Sequence, residues 1–247
     1  MISALTYEWR RLWSVRSTWI VSAIYLFIVG FLGAGPIFLT QEVNLQSWAG
    51  LYSTPSNVLA LVALSVVAAQ AFGHEYRYGL IRLTLSEFPA RERVLFAKTI
   101  VTLTYVTIMI IIAWSELGLI GLLAGDKVTS STNGFTLSGP HIPSLSQIYV
   151  WSLAYCLLAF SISLLSRNLA LGIVLPLLLT TLIEPLLGVI NQVADNRINW
   201  LVSNLPMTNA NSWLNDTSAS ANSFLIFAAW VISIYLLATA RFAAKDA

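Results

Sequence analysis

The densest run of ionisable residues in this 247-residue chain is 73–98, with five of its thirteen Lys and Arg and three of its eleven Asp and Glu. Within it, Tyr76, Leu80 and Leu83 fall at i, i+4 and i+7, which predicts a short amphipathic helix over 75–86. Ser86-Glu87-Phe88-Pro89 ends that helix, and Pro89 suits the first turn of the next. A helix lying flat here, between two apolar runs, offers a compact surface to a partner, and Glu75, Arg77, Tyr78, Gly79 and Arg82 are the candidates for docking it. Arg91, Arg93 and Lys98 lead into an apolar run, where basic residues anchor topology.

Two carboxylates, Glu116 and Glu184, lie inside apolar runs. An ionisable group at membrane depth is costly, which makes both candidates for a translocation path. For Glu116 a structural role or a hydrated cavity weighs as much as substrate contact. For Glu184 the adjacent Pro185 favours a structural role, in which a helix break lets carboxylate and freed backbone satisfy one another. His74 and His141 have no Cys, Asp or Glu at ligand spacing, and Cys156 is the only cysteine, so no metal site is expected. No Ser–His pair, paired Asp or His-Glu-x-x-His arrangement is present, so a membrane-embedded enzyme is disfavoured. The chain has no Gly-x-x-x-x-Gly-Lys-Ser/Thr loop, so ATP binding of that kind needs another polypeptide.

The elements that hold these residues must face lipid. The chain is 57% hydrophobic and only 10% charged, against about 25% charged in a typical soluble domain. A net charge of +2 argues against nucleic acid as a partner. Six apolar runs, about 18–40, 56–73, 99–124, 147–166, 168–190 and 222–243, are each long enough to span a bilayer core of about 30 Å. The expected fold is all-α integral membrane, a single domain over 1–247. The fourth and fifth runs are parted only by Ser166-Arg167-Asn168, which must be a tight turn, and Pro176 and Pro185 predict a kink or break. Six spans place eleven of the thirteen basic residues on one side and leave Lys127 and Arg197 on the other. The positive-inside rule then puts both termini in the cytoplasm of a multi-pass plasma (inner) membrane protein. No cleavable signal peptide is expected.

The N-terminal segment, 1–17, is amphipathic. Leu5, Trp9, Leu12 and Trp13 share one face and Glu8, Arg10 and Arg11 lie largely elsewhere, which predicts an interfacial helix. Gly30, Gly33, Ala34 and Gly35 form a small-residue patch suited to close packing, within the subunit or at a dimer seam. Outer connections 41–55 and 125–146 are polar, whereas 191–221 mixes Trp200, Leu205, Pro206 and Trp213 with Asn and Ser, as short interfacial or re-entrant helices do.

Glu75, then Gly79, an apolar run, and Pro89, Arg91, Arg93 and Lys98 leading into a span together resemble the ABC-2 type transporter permeases, in the style of actinobacterial members. Leu80 stands where family members often have Thr. The basic amphipathic N-terminus, six spans, structured outer segment and Glu184-Pro185 extend the resemblance over the whole chain. It implies a non-enzymatic membrane subunit of an ABC exporter, with 74–93 as its coupling segment. It also implies a separate ATP-binding subunit carrying ATP and Mg, and a second permease, identical or paralogous. The competing expectation is an ion- or proton-coupled secondary transporter.

Overall fold

Inside a bilayer every backbone N–H and C=O must be satisfied within the protein, which restricts apolar runs of this length to helices. The computed structural model describes residues 2–39, 43–44, 52–87, 90–123, 128–129, 144–215 and 221–244. The helices are α1 (Ile2–Ser14), α2 (Arg16–Leu39), α3 (Val58–Arg77), α4 (Ile81–Glu87), α5 (Arg91–Leu123) and α6 (Leu145–Ser166). They are followed by α7 (Leu169–Leu178), α8 (Glu184–Val193), α9 (Asn199–Val202), α10 (Pro206–Asn215) and α11 (Ala221–Ala244). A two-residue parallel pairing, β1 (Val43–Asn44) with β2 (Val128–Thr129), joins two connections. Six helical segments are long and apolar enough to cross a membrane: α2, α3, α5, α6, the α7–α8 unit and α11, with mean hydropathy from 1.6 to 2.2. Antiparallel succession brings both termini to one end, here termed the basic end.

Several boundaries differ from expectation. Helix α3 continues to Arg77 rather than 73, and α5 begins at Arg91 rather than 99. At 1.5 Å per residue, the 33 residues of α5 run about 50 Å, well beyond a hydrocarbon core of about 30 Å. Pro89 and His141 lie outside the described residues, as do most of the connections 41–55 and 125–146.

The expected turn at 166–168 is present. Arg167 takes a left-handed conformation (φ 56°), and the Asn168 side chain accepts from Ala170 N at 2.8 Å to start α7. The expected break in the fifth span is a π-helical turn over Leu179–Ile183. Pro185 has no N–H to give, and the widened turn lets Glu184 N bond back to Leu179 O. Thr180 and Thr181 hydroxyls donate to the Pro176 and Leu177 carbonyls, both at 2.8 Å.

Helices α3 and α6 form the centre, while the α7–α8 unit and α11 keep most of their apolar surface outward. Apolar side chains gain little from leaving lipid for a protein core, so close backbone approach and interhelical hydrogen bonds hold such a bundle. Ser163 Oγ donates to Ala69 O at 2.8 Å. A Cβ on Gly172 would lie 2.6 Å from Ser163 Cβ, and one on Gly73 2.8 Å from Leu169 Cα. One buried cluster includes Tyr25, Leu64, Phe72, Tyr105, Met109, Cys156 and Phe160, and a second includes Leu61, Trp151, Tyr155, Met207 and Phe227.

Candidate functional site

At the basic end, α3 stops in a Schellman motif. Leu80 N bonds Glu75 O at 2.9 Å and Gly79 N bonds Tyr76 O at 3.4 Å, with Gly79 at φ 67°. Only glycine takes that conformation without cost. The turn resets the helical phase. The anticipated single helix over 75–86 is therefore the end of α3, a three-residue turn and the two-turn α4. The stripe also changes: Ile81 and Thr84 turn inward, whereas Leu80 and Leu83 turn out. Tyr78 (63% exposed), Leu83 (66%), Leu80, Arg77 and Arg82 make a projecting apolar–basic surface. The Arg77 guanidinium lies 5.7 Å from the Tyr78 ring centroid.

Glu75 is not on that surface, contrary to its assignment as a docking residue; it is 0% exposed. Its Oε1 accepts from Arg11 of α1, from Lys98 Nζ of α5 at 2.8 Å and from Thr84 Oγ1 of α4 at 3.3 Å. Lys98 Nζ also reaches Glu8 Oε1 at 2.8 Å, and Arg11 Nη1 lies 3.5 Å from Glu8 Oε2. Two acids and two bases thus form a neutral cluster, buried except for part of Arg11. Neutrality matters because desolvating an unpaired charge costs several kcal/mol. Lys98, expected as an interfacial anchor, is instead 1% exposed, its ammonium 5.2 Å from the Phe72 ring centroid. Glu8, expected on the polar side of the N-terminal helix, turns inward with Ala4. Leu5, Trp9, Leu12 and Trp13 are half-buried. A cavity of about 50 Å³ adjoins the cluster, bounded by Glu8, Arg11, Gln70, His74 and Lys98 among others, with room for a few waters.

At the opposite end, Glu184 (3% exposed) is a cap for a different helix. Its Oε1 accepts from Met207 N at 3.0 Å, and its Oε2 from Thr208 N at 2.6 Å and Thr208 Oγ1 at 3.0 Å. A carboxylate thus meets the N-terminus of α10, where both the free N–H groups and the helix dipole favour it. The far end of α10 is held as well, since Gln147 Nε2 donates to Trp213 O at 2.8 Å. Gln147 also completes a capping box with Ser144 at the start of α6. Met207 and Ala210 are fully buried beneath this brace.

The chain matches no protein-family model and no curated protein sequence.

The candidates therefore separate into three groups. Arg77, Tyr78 and Arg82 share the exposed turn, Gly79 shapes it, and Glu75 anchors it from inside. Glu184 is engaged by three donors at the opposite end. Glu116, on α5, packs its carboxyl against Gly30 of α2 and leaves Oε2 buried without a hydrogen-bond partner among the described residues. Gly33 meets Leu117 of α5 in the same way, so this part of the small-residue patch serves packing within the subunit. Sequence reasoning missed Glu8, Arg11, Lys98 and Thr84 as one cluster with Glu75. No local signal marked it: with the apolar run beginning at 99, Lys98 fell just outside the expected span, and only the start of α5 at Arg91 puts it seven residues inside a helix.

Proposed function

We propose that this chain is the membrane-spanning permease subunit of an ATP-driven exporter of the ABC-2 type. In this reading the basic end faces the cytoplasm, both termini lie there, and the membrane is the plasma membrane. Helix α1 lies at the membrane surface, α4 with its preceding turn is the coupling element, and α9 and α10 cap the outer side. A separate subunit binds and hydrolyses ATP with Mg, and a second permease, identical or paralogous, completes the pathway. The observation that carries the reading is the turn at Tyr78–Leu80. It projects Tyr78, Leu80 and Leu83 between Arg77 and Arg82, on a base fixed by buried ion pairs. Apolar side chains exposed together at the end of the bundle suit a protein partner, and the flanking guanidiniums suit an acidic rim around an apolar groove.

The test is purification of the full chain from its native membrane in mild detergent, with identification of accompanying polypeptides. An ATP-binding subunit is expected, retained by the wild type and lost with Arg82→Glu. Absence of any nucleotide-binding polypeptide defeats the reading. The Oε2 of Glu116, buried and without a hydrogen-bond partner among the described residues, favours one second reading, a proton-coupled transporter in which that carboxyl carries the ion. Transport driven by a proton gradient, abolished by Glu116→Gln and indifferent to ATP, would establish it instead.

A further inference from the structure

The N-terminal helix is tied to the docking turn more tightly than a membrane anchor requires. A helix that only floats in the headgroup layer would keep its charges in water and bury Leu and Trp. Helix α1 does otherwise: Glu8 is buried, and Arg11 pairs with Glu75 at the end of α3. There a single oxygen, Glu75 Oε1, receives donors from α1, α4 and α5 together. Lys98 closes the loop by bridging Glu8 and Glu75, 2.8 Å from each.

The other end of α1 is equally constrained. Only Val15 separates it from the first span. Trp19 Nε1 donates to Trp13 O at 2.9 Å, the two indoles lie 5.0 Å apart, and Thr18 N bonds Val15 O at 3.1 Å. The corner between α1 and α2 is therefore stiff.

We propose that Glu8 and Arg11 are positioning residues which, through Glu75 and Lys98, lock α1 to the docking turn so that the two move as one body. A displacement imposed on Tyr78–Leu83 is then carried along α1 into the first span, as well as directly into α3 and α5. Its functional consequence rests on the docking reading, but the lock itself is a property of the chain alone.

The experiment measures the distance between spin labels on cysteines introduced at Ser3 of α1 and Ser86 of α4, both exposed. Cys156 is buried and leaves the background unlabelled. The full chain is reconstituted in lipid nanodiscs, without any partner. One narrow distance distribution is expected. The double variant Glu8→Gln/Arg11→Gln, which keeps the Glu75–Lys98 pair, should broaden it at least twofold, and Lys98→Met, in which Arg11 still holds Glu75, should broaden it less. A purely structural role would lower thermal stability and leave the distribution unchanged; an unchanged distribution in the folded double variant overturns the proposal. If the lock is found but no ATP-binding subunit accompanies the chain, the docking reading fails and the lock stands.

Discussion

Removing the Glu184 carboxylate should release α10 from the fifth span. In Glu184→Ala, Met207 N, Thr208 N and the Thr208 hydroxyl lose their acceptor together. Met207 is fully buried, so water does not replace the carboxylate there. A buried donor left unsatisfied costs about 1–3 kcal/mol. Loss of the favourable charge at the helix N-terminus adds about 0.3–1 kcal/mol. Thr208 is only half-buried and recovers part of its loss from water. The expected destabilisation is thus about 2–4 kcal/mol, or roughly 4–16 °C in Tm at the usual 2–4 °C per kcal/mol for chains near this size. Glu184→Gln keeps one acceptor oxygen and should lose about half as much. Thermal unfolding in detergent reads the first quantity. Hydrogen exchange reads the second, through amide protection across 206–210, which should fall selectively while that of α3 holds. Equal Tm and equal protection in Glu184→Ala would refute the assignment of Glu184 as the cap of α10.

Further outcomes follow from the same geometry. Gly79→Ala forces a side chain into a left-handed conformation and should cost about 1–2 kcal/mol in a denaturation experiment. Lys98→Met leaves Glu8 and Glu75 sharing Arg11 alone, and should cost about 3–5 kcal/mol, as expected when one partner of a buried pair is removed. Gly73→Val drives new methyl groups into the Leu169 backbone and should shift Tm downward far more than Gly188→Val, which meets open space.

How much of this was legible in the sequence depends on the range of the determining interaction. The six spans are visible because hydropathy over about twenty residues decides membrane insertion locally. The 166–168 turn is visible for a similar reason: 44 apolar-rich residues cannot cross one bilayer as a single helix. The phase of the helix expected over 75–86 was misread because periodicity assumes one helix, and Gly79 resets the register between Tyr76 and Ile81. A glycine followed by an apolar residue is itself a stop signal, so that break had a local cue. Glu75 and Lys98 had none. Their assignment as docking residue and anchor applied the usual surface rule, yet their partners lie on a helix 64 or more residues away from Glu75 and 23 residues along the chain. Glu184 was expected to relieve its own helix at Pro185. The π-helical turn does that instead, and frees the carboxylate for a helix 23 residues on.

The most direct test of the central claim is photo-crosslinking from position 83 in intact native membranes. Leu83 is 66% exposed at the centre of the apolar–basic surface, so a photoreactive residue there reports what covers it. The account predicts one major adduct, to a polypeptide containing a Gly-x-x-x-x-Gly-Lys-Ser/Thr loop, and loss of that adduct when Arg82→Glu is added. Labelling of lipid alone, or of a protein without a nucleotide-binding loop, would contradict it.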